Sequence, residues 1–374
     1  MRTLLFDMPT KVAGGPGVVR DLGALVEPLG LERALVVTMP GLVEAGHLSR
    51  VIAALDGLSI EVFDGVHENP TIHDVEACAD IARRFEADAY IALGGGSTID
   101  TARACNIVVS CGGSIFDYRA LHGPFGPRSL APLVAIPTTS GSGSEMQSHA
   151  IIGDDDHVKV ACGMPEAIST LAVLDPELTV TQPRATLACT GIDAACHALE
   201  AAVTSKRTTI SVMFAREAWR LAHDALPRAL DHGGDLDALG NLQIASALAG
   251  VAIEQSMLGA AHALANPLTA HHEITHGHAV GLMLRHVIPF NATLDEPGDE
   301  YRRLARLAGA DDALDLVRFL TAMLDRAGLA TRLADLGVTA SDLDAMASEA
   351  KAQWTQRFNP RPPSIDDLRS LYAE

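Results

Sequence analysis

Two residues that could share a metal ion lie four positions apart, at Asp193 and His197. On a helix this spacing places both side chains on one face, one turn apart. Their neighbours are mostly alanine and leucine, so the face is predicted to be buried, and a buried carboxylate–imidazole pair needs a partner. The pattern therefore indicates either a metal site or an Asp–His hydrogen bond without metal.

A second group of chemically versatile side chains lies further along the chain. Histidines are concentrated between positions 262 and 278, namely His262, His271, His272, His276 and His278. Some of these would be ordinary surface histidines. Asp193 and His197 together with His262 and His276 would give one carboxylate and three imidazoles, a set that suits Fe²⁺ or Zn²⁺ better than Mg²⁺ or Ca²⁺. Such a metal would polarise a carbonyl or stabilise an alkoxide.

A glycine-rich turn could bind a phosphate group. Residues 94–97 (GGGS) follow the apolar run Ala89–Leu93 and precede the helix-like run Thr98–Val109. Glycine lets the backbone approach a ligand closely, and the following helix start presents free N–H groups to an anion. A tight turn without ligand is the alternative, because the segment is not a GxGxxG motif.

A second segment rich in glycine and hydroxyl groups runs from Pro137 to Glu145 and follows the apolar run Leu133–Ile136. Two such loops, each after a predicted parallel strand, favour a nucleotide over two unrelated loops, since open α/β sheets bind ligands at the carboxyl ends of their strands.

The elements that must position these residues change in kind along the chain. The first half alternates short apolar runs with helical stretches, which predicts strands at Ala34–Thr38, Ser59–Phe63, Ala89–Leu93 and Leu133–Ile136 in a mainly parallel sheet. From Ala185 onward the periodicity is almost wholly helical. We therefore predict an α/β dinucleotide-binding domain over residues 1–180 and an all-helical metal and substrate domain over residues 181–374, with the substrate between them.

Charge and cysteine content narrow the class of protein. The formal net charge of the 374 residues is −19, from 28 basic and 47 acidic residues, which argues against nucleic acid or an anionic membrane as partner. The six cysteines form no CxxC pair, as expected for reduced thiols in a cytoplasmic protein. Residues 1–7 are too short for a signal peptide, and no uninterrupted apolar stretch approaches ~18 residues, so no membrane span is predicted.

Taken in order, the motifs resemble the iron-containing (group III) alcohol dehydrogenase family over nearly the whole chain. The matching segments are Asn69–Thr71 (NPT), Gly94–Asp100 (GGGSTID), Pro137–Glu145 (PTTSGSGSE), Asp175–Leu178 (DPEL), Gly191–His197 (GIDAACH), Gly259–Pro267 (GAAHALANP), His276–Gly277 and Asn359–Arg361 (NPR).

The resemblance implies a dehydroquinate-synthase-like fold, the metal ligands Asp193, His197, His262 and His276, and one divalent metal, Fe²⁺ or Zn²⁺. It implies NAD(H) or NADP(H) as cofactor, with the pyrophosphate at Gly95, Gly96 and Ser97. Further cofactor contacts are expected at Thr38, Met39, Asn69, Asp100, Thr138, Thr139, Ser142, Lys159 and Leu178. A homodimer is the expected assembly.

Three positions depart from the family pattern. Met39 stands where many members have an acid that binds the ribose, so NADP(H) is no longer repelled, although no Lys or Arg stands close by. Asn266 replaces a proton-relaying histidine, and because an amide does not titrate, water, His272 or His278 must carry the proton. Arg103 stands where Lys is usual, which keeps the charge.

The sequence therefore predicts a metal-dependent, NAD(P)-linked alcohol dehydrogenase, or aldehyde or ketone reductase, that acts on a small substrate by direct hydride transfer. Three alternatives stay open: a metal-free reductase resembling maleylacetate reductase, a lyase of the dehydroquinate synthase type, and a non-catalytic metal-binding or sensing protein.

Overall fold

The computed structural model describes residues 6–120, 123, 128–155 and 158–374. It divides into two compact units. One comprises Met8–Thr139 and Ser144–Gln182 and is called here the α/β unit. The other, the helical unit, comprises Ser140–Gly143 and Pro183–Glu374, together with the N-terminal residues Phe6 and Asp7.

The α/β unit is built on a parallel sheet. Its strands are β1 Lys11–Gly14, β2 Arg33–Val37, β3 Ser59–Phe63, β4 Ala89–Gly94, β5 Leu133–Pro137, β6 His149–Gly153, β7 Lys159–Gly163 and β8 Leu171–Leu174. Six of them form one sheet in the order β1-β8-β5-β4-β2-β3, in which each neighbouring pair is parallel. β6 and β7 form a separate antiparallel hairpin.

Helices cover both faces of this sheet, as continuous apolar strands require. They are α1 Leu22–Val26, α2 Pro40–Glu44, α3 His47–Ala53, α4 Ile72–Phe85 and α5 Gly96–Cys111. Successive residues of β2 alternate between two separate apolar cores, with Leu35 and Val37 in one and Ala34 and Val36 in the other. The predicted α/β class is confirmed by this arrangement.

The helical unit consists of helices around one apolar core. They are α6 Arg184–Ala201, α7 Thr209–Asp231, α8 Leu236–Ser256, α9 Ala260–His272, α10 His276–Ala292, α11 Asp295–Leu307, α12 Ala313–Ala327, α13 Leu343–Ala352 and α14 Ile365–Ala373. The core is rich in alanine and leucine, with Trp219 and Tyr301 fully buried, so the helices pack closely and hold side chains at their interfaces rigidly.

One helix among the described residues, α8, is long and apolar enough to cross a membrane by length and composition alone. In the protein 67% of its most apolar stretch is buried, and its alanines and leucines belong to the helical core. The high hydropathy of α8 is therefore explained by its position in the core of the helical unit.

Candidate functional site

Four side chains with metal-ligating atoms lie together in the helical unit. α6 carries Asp193 and His197, α9 carries His262, and α10 begins with His276. One donor atom each from Asp193, His262 and His276 lie within 4.8 Å of one another. The structure thus brings together residues from three helices that lie up to 83 positions apart in the chain, the separation of Asp193 and His276.

His197 stands next to this cluster. Its Nε2 atom lies 3.5 Å from Asp193 Oδ1, and its ring stacks on that of His262 with the centroids 4.7 Å apart. Nδ1 lies 3.1 Å from the Gly141 carbonyl oxygen. Because a carbonyl only accepts, Nδ1 carries the proton and Nε2 presents a lone pair toward Asp193.

The ligand atoms of the cluster fit a bound metal ion. Asp193 Oδ1 and His262 Nε2 are buried, have no hydrogen-bond partner, and lie 3.6 Å apart. Buried polar atoms are normally satisfied, so these two facing atoms without a partner fit a site for a cation. One carboxylate and three imidazoles suit a divalent metal such as Fe²⁺ or Zn²⁺.

Burial and neighbouring charges shift the pKa values of the residues in this cluster. Burial by itself would raise the pKa of Asp193, but the three surrounding imidazoles outweigh it and hold that pKa well below its ordinary value. Burial lowers the pKa of His197, against the attraction of Asp193. Burial would also lower the pKa of His262, but Glu200 and Asp193 together raise it to about 9. Asp193 and Glu200 thus stabilise a proton on the His262 ring, and a metal bound there would displace that proton.

Glu200, which lies two turns after Asp193 on α6, was not predicted as a site residue from the sequence. It is 1% exposed, and its carboxylate binds both the backbone N–H of Ala261 and the ring of His262. A signal was present in the sequence, because positions 193, 197 and 200 follow the i, i+4, i+7 spacing of one helix face.

The candidate catalytic residues Asn266, His272 and His278 have neighbours of their own in the helical unit. Asn266 Nδ2 donates to Gln353 Oε1 over 2.9 Å. His278 Nε2 donates to the Ala330 carbonyl over 2.7 Å, and burial lowers its pKa. His272 Nε2 lies 4.0 Å from Asp342 Oδ2.

Several of the candidate cofactor residues lie at one edge of the parallel sheet in the α/β unit. The chain runs from β2 outward to β3 and then returns past β2 to β4, so the strand order reverses between β2 and β4. The carboxyl ends of strands at such a switch point form the usual ligand crevice of an open α/β sheet. Thr38 and Met39 follow β2, Gly95–Ser97 follow β4, and Thr138 and Thr139 follow the adjacent β5.

Several contacts hold these turns together. Thr38 Oγ1 donates to the Leu93 carbonyl over 2.9 Å, and the Asn69 N–H donates to Ser97 Oγ over 3.3 Å. A Cβ atom added at Gly95 would lie 2.9 Å from Thr139 Oγ1. Gly95 is the N-cap of the 16-residue helix α5 and offers no side-chain cap, so the helix start is open to an anion, as a pyrophosphate site requires.

Other predicted cofactor residues lie elsewhere. Asp100 is buried on α5, where it accepts from Ser144 Oγ over 2.5 Å and from the Ile151 N–H over 2.9 Å. Lys159 begins the hairpin strand β7. Leu178 is buried in the apolar core beneath the sheet, with 1% of its surface exposed. Ser142 belongs to the helical unit.

Family models match both halves of the chain. The model described as iron-containing alcohol dehydrogenase matches residues 9–176, and the C-terminal model of the Fe-containing alcohol dehydrogenase family matches residues 187–374. The chain belongs to the iron-containing alcohol dehydrogenase family. The predicted family, enzyme class and fold are thereby confirmed.

Individual relatives span nearly the whole chain. Alcohol dehydrogenase 4 of Schizosaccharomyces pombe is 31% identical over 98% of this chain and 88% of its own length. An NAD-dependent methanol dehydrogenase of Bacillus methanolicus is 30% identical over 98% of each chain. The crystal structure of sulfoacetaldehyde reductase from Bifidobacterium kashiwanohense in complex with NAD⁺ is similar with a TM-score of 0.91, at 28% identity over 99% of this chain and 98% of that one.

Proposed function

We propose that this iron-type alcohol dehydrogenase interconverts a small alcohol and its aldehyde or ketone, with NAD(H) as redox partner and one divalent metal, Fe²⁺ or Zn²⁺, held by Asp193, His197, His262 and His276. The observation that carries the proposal is the pair of buried, unpartnered atoms Asp193 Oδ1 and His262 Nε2, 3.6 Å apart in a cluster with two further imidazoles.

Each bound group supplies one part of the chemistry: the nicotinamide exchanges a hydride with the substrate carbon, and the metal supplies Lewis acidity toward the substrate oxygen. The chain's own residues bind and orient these groups. The open start of α5 at Gly95–Ser97 is suited to the pyrophosphate, and the clustered ligand atoms on α6, α9 and α10 would hold the cation.

The proton that accompanies the hydride needs a carrier. Asn266 can orient a polar group by hydrogen bonding but does not titrate. His278 Nε2 donates to the Ala330 carbonyl, and His272 Nε2 lies 4.0 Å from Asp342 Oδ2, so His278 has a hydrogen-bonding partner and His272 has a carboxylate nearby. We therefore propose water as the proton carrier, with the two histidines as the alternatives that mutation can test.

We also propose a second cofactor, a cellular location and an oligomeric state. NADP(H) is proposed as a second cofactor because Met39, at the end of β2, carries no charge that would repel a 2′-phosphate. A cytoplasmic location is supported by the six cysteines, five of which are buried, as is usual for reduced thiols. A homodimer is proposed from family membership.

The decisive experiment follows the absorbance of NADH and NADPH, separately, with protein loaded with Fe²⁺ or Zn²⁺ and a panel of small aldehydes and keto acids. Wild type is compared with His262→Ala. Turnover that is lost in the variant supports the metal-assisted reaction.

Turnover that survives His262→Ala would instead assign the chain to the metal-free reductase branch. Tight cofactor binding without net oxidation or reduction of any substrate would favour the lyase chemistry of dehydroquinate synthase. Failure to bind either cofactor would leave a non-catalytic metal-binding protein.

A further inference from the structure

A second carboxylate stands directly behind the metal-ligating cluster. Glu200 is seven residues after Asp193 on α6, two turns along the same face. Its side chain is 1% exposed, and each of its two oxygens has a hydrogen-bonding partner. Oε1 accepts the backbone N–H of Ala261 over 2.7 Å, and Oε2 lies 2.5 Å from His262 Nδ1.

This contact decides which nitrogen of His262 can bind a metal. An ionised carboxylate only accepts hydrogen bonds, so the hydrogen between Glu200 and His262 belongs to Nδ1. When the ring is neutral, Nε2 is left with its lone pair, and Nε2 is the buried, unpartnered atom that faces Asp193 Oδ1 over 3.6 Å. A carboxylate behind a ligating histidine fixes both its tautomer and its ring orientation.

The start of α9 is built around the same carboxylate. The Ala261 N–H donates to Glu200 and the Ala260 N–H donates to Asn359 Oδ1 over 3.2 Å, so two first-turn amides of the helix that carries His262 are capped from distant parts of the chain. A Cβ atom at Gly259 would lie 2.8 Å from Asn359 Oδ1 and 2.9 Å from Glu200 Oε1. Glycine at this position therefore allows both caps to reach the backbone.

We propose that Glu200 is a positioning residue for the metal. It holds His262 with the proton on Nδ1, anchors the first turn of α9 through Ala261, and adds a second negative charge to that of Asp193 around a divalent cation. The inference rests on the proposed function, since it presupposes that the cluster binds a metal.

The test substitutes Glu200→Gln in the full-length protein and measures the dissociation constant for Zn²⁺ by chelator competition, together with the visible absorption of the Co²⁺-loaded protein. Glutamine has the same shape but one acceptor and one donor end. If its oxygen takes the Ala261 N–H, its NH₂ group faces Nδ1 and forces the ring proton onto Nε2, where it blocks ligation. Zn²⁺ affinity should fall about 10–100-fold, and the Co²⁺ spectrum should change.

Glu300→Gln is the matched control. Glu300 is 6% exposed in the same unit, and both its oxygens pair with Arg216 at 2.6 Å. Loss of this buried carboxylate should lower thermal stability while Zn²⁺ affinity stays unchanged, which separates a general structural effect from positioning of His262.

If Glu200→Gln binds Zn²⁺ as tightly as wild type, the inference is overturned. If wild type itself binds no stoichiometric divalent metal, the proposed function fails first, and the two failures are thus distinguishable. Should Glu200→Gln not fold, Gly259→Ala replaces it, because the added methyl group displaces the carboxylate without removing its charge. Weaker Zn²⁺ binding is expected there too, and unchanged binding would overturn the inference.

Discussion

Arg103 donates to Ser144 twice, from Nη2 to the carbonyl oxygen over 2.6 Å and from Nη1 to Oγ over 2.9 Å. The guanidinium is completely buried and also donates to the carbonyls of Ala167 and His149 and to Asp100. One side chain of α5 thereby joins the segment after β5 to the hairpin and to the turn before β8.

We expect Arg103→Lys to destabilise the α/β unit although it keeps the charge. Lysine offers three donors from a single atom and cannot reach all of these acceptors. Buried acceptors that lose a donor cost about 1–3 kcal/mol each, so the free energy of unfolding should fall by about 2–4 kcal/mol, measured by urea denaturation. Arg83→Lys, at an exposed pair with Asp80, is the control and should change it by less than about 0.5 kcal/mol. Equal stability of the two variants would contradict the prediction.

Glu145 should make stability depend on pH. Burial raises the pKa of Glu145 from 4.5 to about 7, and Arg103 opposes this only in part. Between these pH values the folded protein keeps a proton that the unfolded chain has released, so stability is greatest below pH 4.5 for this group and falls as pH rises toward 7.

The slope for Glu145 has an upper limit of ~1.4 kcal/mol per pH unit. Unfolding in urea from pH 5 to 8 should show a shallower decline in Glu145→Gln than in wild type, because glutamine stays neutral. Glu44→Gln, on the exposed side of α2, should keep the wild-type slope. Parallel curves for wild type and Glu145→Gln would refute the assignment.

Gly95→Ala should weaken cofactor binding. The new methyl group would lie 2.9 Å from Thr139 Oγ1, so Thr139 or the start of α5 must shift at the place proposed for the pyrophosphate. We expect at least a tenfold weaker dissociation constant for NADH, about 1.4 kcal/mol, in a fluorescence titration. Gly41→Ala is the control because a Cβ atom there meets nothing within 4 Å; a loss of the same size in both variants would rule out a local cause.

Met39→Asp should shift cofactor preference toward NADH. Met39 is the N-cap residue of α2, with extended backbone angles, and aspartate is well tolerated at such positions. Its charge would repel a 2′-phosphate, so the ratio of kcat/KM for NADPH to that for NADH should fall about tenfold or more. Met39→Asn has nearly the same shape without the charge, and an equal ratio in the two variants would show that charge is not the cause.

The sequence predicted the central strands well because they are continuous apolar runs. The predictions for β4 and β5 lack one residue at the C-terminal end, and the prediction for β2 is shifted by one residue toward the C-terminus. The edge strand β3 was predicted at its observed bounds, Ser59–Phe63, although it contains a serine and a glutamate. The edge strand β1 was missed, since its four residues include Lys11 and Gly14 and are mostly exposed. The short strand β8 and the hairpin of β6 and β7 were missed as well. β8 pairs with β1 and β5, which lie far from it in the chain, and such contacts leave no local periodicity.

The candidate site could likewise be predicted only in part. Helical spacing placed Asp193 and His197 on one face, but only the fold brings His262 and His276 to them. Asn359 lies in a motif that matched the family, but the sequence did not indicate what this residue does. It caps α9 through a contact between residues 99 positions apart in the chain. Arg103 was interpreted from its charge alone, whereas the structure gives it several buried hydrogen bonds.

The boundary between the two units is not a single point in the sequence. Ser140–Gly143 is encoded in the first half yet folds as part of the helical unit, where the Gly141 carbonyl orients His197 and Gly143 lies so close to Gly250 that a methyl group would not fit. A gene fragment starting at codon 183 would encode every proposed metal ligand but lack the backbone oxygen that orients one of them. A helical unit expressed by itself would therefore need Ser140–Gly143 as well as Pro183–Glu374.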